Sequence, residues 1–199
     1  METPYRIATI GITGGIGSGK SVVSRILRLN GFSVYDCDFE ARRIMENSAE
    51  IRSSLLERWG EETFGPDGSL CRPFIASCAF ADPVELAWLD RLVHTAVRYD
   101  FNVWRRRVGS FHGMVFVESA LLKKSGLVDD CNRVWLVDAP RQLRMERVMK
   151  RSGLTAAQIG ERMESQSDEF DFSAIDIPVD TIVNDGRSSL LDRLVELQR

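Results

Sequence analysis

The residues best suited to chemistry form one run near the start of the chain, Gly14 to Ser21, whose letters fit G-x-x-x-x-G-K-[ST] at every fixed position. Glycines allow backbone conformations that other residues resist, so successive N–H groups can surround an anion. Lys20 would place its charge on the β- and γ-phosphates, and the Ser21 hydroxyl would hold Mg²⁺. We therefore predict a phosphate-binding loop for ATP formed by Gly14, Gly15, Ile16, Gly17, Ser18, Gly19, Lys20, Ser21 and Val22.

The elements that flank the run support this interpretation. Residues 7–12 are apolar and rich in β-branched side chains, which predicts a strand. Apolar residues then recur at helical spacing over residues 22–27, and Gly31 is placed to end that helix. The sequence therefore predicts strand, glycine loop and helix in succession, and a glycine-rich turn with a chance Lys-Ser pair is the disfavoured alternative.

Two acidic residues follow the next apolar segment. Residues 32–38 read as a second strand that ends in Asp36 and Asp38, and side chains two residues apart share one face of a strand. Ligands of open parallel sheets lie at the carboxyl ends of the strands. Asp38 is therefore a candidate to accept the proton of an attacking hydroxyl or to hold Mg²⁺ through water. Asp38 also precedes a helix, so a helix-capping role is open beside the catalytic one.

A basic helix face is predicted later in the chain. Arg144, Arg147 and Arg151 are three and four residues apart on a helix that starts at Pro140. A Ser-Gly break and a second capped helix follow, which is the layout of a lid over residues 140–168. A lid arginine can meet the negative charge of a phosphoryl group in transfer. A solvated basic face is the alternative, and which arginine acts is left open.

The pattern along the whole chain predicts an α/β fold. Short apolar strands at residues 114–118, 134–138 and 181–183 alternate with helices, which is typical of a parallel sheet covered on both faces. We predict a single domain, residues 1–199, with a three-layer P-loop NTPase-type fold and a five-stranded parallel sheet. Residues 39–107 are mostly helical and too long for one crossover, which predicts an inserted subdomain for the acceptor.

Composition narrows the class of protein. The 199 residues are 44% hydrophobic and 28% charged with a net charge of −3, so no overall basic character favours a nucleic-acid partner. The four cysteines form no C-x-x-C pair, and no apolar stretch reaches membrane-spanning length. The sequence carries no signal peptide, so we expect a cytoplasmic enzyme with a small-molecule substrate and no membrane. We expect a monomer and leave an oligomer open.

Single residues elsewhere are weaker candidates for the site. His94 lies near the apolar face of a long predicted helix and is either structural or in contact with substrate. Glu118 and Asp138 end the third and fourth strands, and Glu118 is the better candidate to support Mg²⁺ because it follows an unbroken apolar run. Asn184 begins a turn after the fifth strand and either contributes backbone to an adenine pocket or only forms the turn.

Several longer segments resemble one family. They are V-Y-D-C-D (34–38), D-G-S-L-C-R (67–72), F-A-D-P (80–83), W-L-D-R-L-V-H (88–94), R-Q-L-R-M-E-R-V-M-K-R (141–151), the glutamine Gln166 at the end of the lid helix, and I-V-N-D-G (182–186). Together with the glycine loop, and in the same order, they resemble the dephospho-CoA kinases over nearly the whole chain.

The resemblance implies transfer of the γ-phosphoryl group of ATP to the ribose 3′-hydroxyl of dephospho-CoA, the last step of coenzyme A synthesis. It places the catalytic aspartate on Asp38, the lid arginines within 144–151 and the CoA-binding part in the helical insertion. It implies four substrate-binding residues: Asp36, Arg72, His94 and Glu118. Another small-molecule, nucleoside or nucleotide kinase of this fold, or a non-catalytic nucleotide-binding module, is the alternative. The chain lacks the N-K-x-D sequence of GTPases and the L-S-G-G-Q-like signature of ABC ATPases.

The chain departs from the family pattern at three places. Val22 follows the loop serine where the family has threonine, and Thr95 follows His94 where the family has proline. The segment P-L-L-F-E is replaced by Ala-Leu-Leu-Lys-Lys at residues 120–124. In this segment Lys124 is a base where the family has an acid, near the expected substrate cleft.

Overall fold

The computed structural model describes residues 7–198, with the side chains of 109–112 and of Ser167 left aside. The strands are β1 (Ala8–Thr13), β2 (Val34–Asp36), β3 (Met114–Glu118), β4 (Arg133–Asp138) and β5 (Val179–Val183). The helices are α1 (Lys20–Leu29), α2 (Cys37–Asn47), α3 (Ala49–Trp59), α4 (Arg72–Ala81), α5 (Pro83–His112), α6 (Arg141–Ser152), α7 (Ala156–Glu164) and α8 (Leu190–Leu197).

The five strands form one parallel sheet in the order β2-β3-β1-β4-β5. The predicted five-stranded parallel sheet is confirmed. Strand β1 is central, with Ile12 opposite Glu118 of β3 on one side and opposite Trp135 of β4 on the other. Because all strands point the same way, their carboxyl ends lie along one edge, where the loop after β1 begins.

Both faces of the central strand are covered. Ile12 on one face and Thr9 and Thr13 on the other are fully buried, as expected for a parallel sheet with helices on each side. One large apolar cluster unites the strands with α1 and α8: Ile10, Ile12, Val23, Leu27, Phe116, Trp135, Val137, Ile182 and Leu194. This packing fixes the start of α1, and with it the loop that joins β1 to α1.

The chain divides into two compact units. The sheet unit contains the described residues up to Asp36 and from Trp104 onward, and the helical unit contains Cys37–Val103. Within the helical unit, Trp59 and Trp88 stack edge to face with ring centroids 5.1 Å apart, and Arg58 lies 5.4 Å from the Trp88 ring. The role of this region as an acceptor-binding subdomain stays a prediction, as do the single domain over residues 1–199 and the lid over residues 140–168.

One predicted boundary is wrong at the second strand. β2 ends at Asp36, and α2 begins at Cys37, so Asp38 lies in the first turn of a helix and not at the end of a strand. The argument that Asp36 and Asp38 share one strand face therefore does not hold. Acidic side chains in a first turn favour the positive end of the helix dipole, and α2 carries Asp38 and Glu40 there.

Other boundaries agree with the sequence or differ by a few residues. The helix α3 begins after Ser48, whose hydroxyl caps it by accepting the N–H of Ile51. The predicted capping box at the start of α7 is present, with Thr155 and Gln158 bonding reciprocally. The helix α4 is an element that the sequence analysis did not separate from the rest of the helical region. No helix in the described part of the chain is long and apolar enough to cross a membrane.

Candidate functional site

The glycine loop has a backbone that only glycine tolerates at its key positions. Gly14 and Gly19 have φ values of 150° and 99°. A Cβ at Gly14 would lie 2.1 Å from the carbonyl oxygen of Val137, and one at Gly19 would lie 2.0 Å from Nδ2 of Asn184. The loop is thus packed so closely against β4 and the turn after β5 that no room remains for a Cβ at Gly14 or Gly19. Side chains at these positions would displace it.

Lys20 folds back over the loop that it follows. Its Nζ donates to the carbonyl oxygen of Gly14 at 2.7 Å, so the ammonium lies across the mouth of the turn. Lys20 is also the first residue of α1, whose N-terminus has no side-chain cap. Free N–H groups at a helix N-terminus and a nearby ammonium attract phosphate. The role of Lys20 in binding the β- and γ-phosphates stays a prediction.

Arg144 reaches the loop from the first turns of α6. Its Nε donates to the carbonyl oxygen of Ile16 at 3.0 Å, and its Nη1 lies 3.9 Å from Oδ1 of Asp138. The side chain is only 16% exposed. Burial lowers the pKa of this guanidinium, and the Asp138 carboxylate acts in the opposite direction. An arginine keeps its charge under such a shift, so a buried positive charge lies against the loop.

Arg147, one turn further along α6, joins the loop to the turn after β5. Its Nη2 donates to the carbonyl oxygen of Asn184 at 3.1 Å, and its Nη1 lies 3.4 Å from the carbonyl oxygen of Gly17. Asn184 is buried, and its Nδ2 donates to the carbonyl oxygen of Ser18 at 2.8 Å. The Asn184 N–H donates to Asp138 O at 2.7 Å, so Asn184 bonds to the loop and to β4 at once.

Gln166 is a loop contact that the site prediction left out. Its Oε1 accepts the N–H of Ile16 at 3.1 Å, across 150 residues of sequence. In the sequence this glutamine is marked by its place among the segments that resemble the family. Its position at the end of the predicted lid was the available signal. Ile16 is consequently held on its carbonyl by Arg144 and on its N–H by Gln166.

Two carboxylates lie side by side where β2 and β3 end. Asp36 and Glu118 are register partners, and Oε2 of Glu118 is buried with no hydrogen-bond partner among the described residues. Burial raises the pKa of Glu118. The nearby Ser24 hydroxyl and the charges of Lys20 and Arg28 oppose that effect, whereas the Asp36 charge adds to it. A half-satisfied buried carboxylate beside a phosphate loop is a fitting partner for a cation.

The oxygens at this edge of the sheet fit Mg²⁺. Magnesium in phosphoryl-transfer sites takes one or two carboxylate or hydroxyl ligands, and substrate phosphates and waters complete its shell. Glu118 supplies a buried oxygen with no partner among the described residues, and Ser21, the second residue of α1, is exposed and carries a hydroxyl. Over residues 7–198, no group of three or more His, Cys, Asp or Glu side chains forms a dedicated metal cage.

The remaining predicted residues have other surroundings. Arg151 is exposed in the last turn of α6, and among the described residues no contact between Arg151 and the loop is found. In the helical unit, Asp38 is exposed in the first turn of α2, and His94 is half-buried on α5. Arg72, the first residue of α4, pairs with Oε1 of Glu46 at 2.7 Å.

The helical unit also contains a cavity of about 710 Å³. Its wall combines aromatic, cationic and amide side chains of α2, α3 and α5: Arg43, Asn47, Trp88, Arg91, Thr95 and Tyr99 are among its lining residues. Thr95, which replaces the proline of the family pattern, therefore faces this cavity. His94 and Arg72 are not among the described residues that line it.

Comparison with known proteins decides the family. A family model described as dephospho-CoA kinase matches residues 8–188. The chain belongs to the dephospho-CoA kinase family. The match includes the glycine loop, both carboxylates at the ends of β2 and β3, the helical unit and the arginines of α6. The fold class and the resemblance stated from the sequence are both confirmed.

Relatives of the dephospho-CoA kinase family align over almost the full length of the chain. A dephospho-CoA kinase from Bacteroides fragilis is 35% identical over 189 residues, 94% of this chain and 90% of the relative. The crystal structure of TT1252 from Thermus thermophilus superposes with a TM-score of 0.76 at 32% identity, covering 96% of this chain and 95% of that one. A dephospho-CoA kinase from Campylobacter jejuni shares the fold, with a TM-score of 0.68 at 20% identity, over 96% of this chain and 94% of that one.

Proposed function

We propose that this chain transfers the γ-phosphoryl group of ATP to the ribose 3′-hydroxyl of dephospho-CoA, giving coenzyme A and ADP. The observation that carries the proposal is the phosphate loop itself. Its glycines adopt positive φ values that other residues would reach only with strain, they lie against β4 and Asn184, and Lys20 bonds to the Gly14 carbonyl. Membership of the dephospho-CoA kinase family indicates that the acceptor is dephospho-CoA.

In this proposal the loop receives the triphosphate. The N–H groups of the loop and of the first turn of α1 bind the β-phosphate region, and Lys20 exchanges the Gly14 carbonyl for phosphate oxygens. Asn184 keeps the loop in place by its bond to Ser18, since its own backbone N–H and carbonyl are already engaged. We therefore favour a loop-supporting role for Asn184 over contact with adenine.

Arg144 and Arg147 are the proposed stabilisers of the transferring group. Each now donates to a loop carbonyl, and a modest movement of α6 would let a guanidinium meet the γ-phosphate oxygens instead. Charge on those oxygens grows during transfer, so a positive group positioned there lowers the barrier. Arg144 is the stronger candidate because it is largely desolvated already. Arg151 stays a weaker one.

Asp38 is the proposed acceptor of the hydroxyl proton. It follows the carboxyl end of β2 by two residues and is exposed, so a substrate can approach it. Within the sheet unit, Glu118 and Ser21 would hold Mg²⁺, with Asp36 beside Glu118 at the ends of β2 and β3. Bound Mg²⁺ would supply charge neutralisation between the β- and γ-phosphates.

The helical unit is the proposed seat of the acceptor. Its cavity of about 710 Å³ is in the size range of small-molecule sites, and its lining includes a cation, Arg91, and an aromatic ring, Trp88. We propose Arg72 and His94 as further acceptor contacts. We expect a cytoplasmic monomer that acts on a small molecule and binds no nucleic acid or membrane.

Mass detection of product tests the proposal directly. Purified protein with ATP and Mg²⁺ should add one phosphoryl group to dephospho-CoA faster than to any of a panel of nucleosides, nucleotides and small alcohols. The variant Lys20→Met should lose this activity, since the loop then lacks its cation. Faster transfer to a nucleoside or a sugar would show that dephospho-CoA is not the preferred acceptor. ATP binding without transfer to any acceptor would favour a non-catalytic module.

A further inference from the structure

Lys123 forms hydrogen bonds with the main chain at the end of the predicted lid. After α7, residues 165–172 return the chain toward β5, and we call them the return segment. Lys123, in the turn after β3, donates from Nζ to the carbonyl oxygen of Asp168 at 2.7 Å and to that of Asp171. The same ammonium lies 5.7 Å from the ring centroid of Phe172. The side chain therefore binds the main chain of the return segment and a buried ring together.

Glu169 of the return segment binds back to the same turn. Its carboxylate accepts the backbone N–H of Lys123 and, at 3.1 Å, that of Lys124. Charge-assisted bonds of this kind are roughly twice as strong as neutral ones. Lys123 and Glu169 thus cross-connect the two segments in both directions, and we call this pair the clasp.

The turn that carries Lys123 is itself anchored in the core. The N–H of Ser119 donates to the carbonyl oxygen of Ile12 in β1 at 3.0 Å, and the Ser119 hydroxyl accepts the N–H of Leu121 at the same distance. Leu122 is completely buried. The clasp consequently attaches the return segment to a turn that is bonded to β1 and packed into the core through Leu122.

The return segment carries the glutamine that touches the phosphate loop. The backbone N–H of Glu169 donates to the carbonyl oxygen of Gln166 at 3.2 Å, so Gln166 is tied to the clasp residue three positions later. The side chain of Gln166 then accepts the N–H of Ile16 at 3.1 Å. A continuous path of hydrogen bonds joins the turn after β3, the return segment and the phosphate loop.

We propose that the clasp of Lys123 and Glu169 positions Gln166, and that Gln166 holds the N–H of Ile16 so that the phosphate loop keeps the shape that receives a nucleotide. Lys123 and Glu169 act through Gln166 and are positioning residues. The inference rests on the proposed function only in taking that nucleotide to be ATP. Lys123 stands where the resembling P-L-L-F-E segment has a phenylalanine, so the clasp comes from a departure of this chain from its family pattern.

Amide exchange at Ile16 measures the proposed contact without any substrate. By NMR, Gln166→Met should speed exchange of the Ile16 N–H about fivefold, the effect of losing one net hydrogen bond of about 1 kcal/mol. Lys123→Met should produce an acceleration of the same sign, because the clasp no longer holds Gln166. The matched controls Gln142→Met and Lys150→Met change exposed residues of α6 and should leave the Ile16 exchange rate unaltered.

A double variant distinguishes positioning from a separate structural effect. If Lys123 acts through Gln166, Gln166→Met with Lys123→Met should exchange no faster than Gln166→Met alone. Calorimetry without acceptor should show the ATP dissociation constant raised about fivefold in each single variant. Lys123→Arg, which keeps charged donors, should restore much of the affinity.

Several outcomes would overturn the inference. They are an unchanged Ile16 exchange rate in Lys123→Met, fully additive effects in the double variant, tighter ATP binding in either variant, or a lowered melting temperature with unaltered ATP affinity. Glu169→Gln repeats the measurement should Lys123→Met fail to fold. Because neither readout involves dephospho-CoA, a wrong acceptor would leave these results intact and would defeat only the proposed function.

Discussion

Arg144 donates from Nε to the carbonyl oxygen of Ile16 at 3.0 Å, across 128 residues of sequence. Because the guanidinium is buried against the loop, we expect Arg144→Met to lower kcat/KM about 100-fold, the usual cost of removing one preorganised donor to a transition state. Steady-state kinetics with varied ATP checks this. Arg141→Met, on the exposed side of the same helix, is the control and should stay within twofold of the parent, about the effect of a surface ion pair. Equal losses in both variants would contradict a specific role for Arg144.

Gly19 should tolerate no side chain. We expect Gly19→Ala to abolish measurable ATP binding, because the new Cβ would meet Asn184 Nδ2 at 2.0 Å and the φ of 99° disfavours alanine. Gly31→Ala is the matched control, since Gly31 also has a positive φ but open space around it. That control should lose about 1 kcal/mol of stability from strain and bind ATP normally. Calorimetric titration with ATP compares the two, and normal binding by Gly19→Ala would refute the steric argument.

Asp38 should affect the chemical step and leave nucleotide binding intact. We expect Asp38→Asn to lower kcat by a factor on the order of 100 or more, because proton transfer by a positioned side chain contributes that much. The ATP dissociation constant should change little. Asp176→Asn, an exposed residue of the sheet unit, controls for loss of one negative charge. Undiminished turnover in Asp38→Asn would remove it as the base.

Glu118 should determine the magnesium requirement. Its unpaired buried oxygen is the strongest candidate ligand of this chain, so Glu118→Gln should raise the Mg²⁺ concentration needed for half-maximal activity about tenfold. Activity measured over a range of Mg²⁺ at fixed ATP checks this. Glu57→Gln, on the exposed face of α3, should leave the magnesium curve where it was. If activity depends on Mg²⁺ concentration in the same way in Glu118→Gln and in the parent protein, other oxygens hold the ion.

Glu85 should make the stability of the chain depend on pH. Its carboxylate accepts bonds from Arg58 Nε at 3.0 Å and Trp59 Nε1 at 2.8 Å, and these bonds lower the pKa of Glu85. A carboxyl group whose pKa is lower in the folded than in the unfolded chain stabilises the fold above the unfolded value, and this stabilisation is lost as pH falls through the folded value. Glu85→Gln should therefore lower the melting temperature at pH 7.

The difference between Glu85→Gln and the parent should then shrink as the pH falls below about 4.3, the ordinary glutamate value. Thermal unfolding followed by tryptophan fluorescence at several pH values measures both effects. A difference that stays constant from neutral to acidic pH would show that the two bonds do not depend on the charge of Glu85.

The succession of β1, glycine loop and α1 could be predicted because its requirements are local. The glycines indicate where the backbone takes conformations that other residues resist. Lys20 and Ser21 directly follow these glycines in the sequence and lie beside them in the structure. The contacts of Ile16 with Arg144 and Gln166 join residues 128 and 150 positions apart, and no local pattern encodes which backbone atom a distant side chain will reach. Helical spacing predicted that Arg144 and Arg147 share one helix face, but it did not predict which loop carbonyls they contact.

The errors in the fold prediction have local causes. β2 has only three residues, too few for alternation to separate a strand end from a helix start, so Asp36 and Asp38 were assigned to one strand. The helix α4 has the sequence RPFIASCAFA, whose small and apolar residues surround the helix without a clear polar face. Periodicity therefore gave no boundary for it within the helical region.

The two hydrogen bonds described for Ile16 both involve its main chain, one at its carbonyl and one at its N–H. What the position must provide is a peptide group, and the isoleucine side chain takes no part in either bond. Random replacement at this codon should therefore return many functional variants, and proline, which has no N–H to give, should be missing from among them. The neighbouring Gly15 offers no such latitude, because an added Cβ would lie 2.1 Å from Nη2 of Arg144.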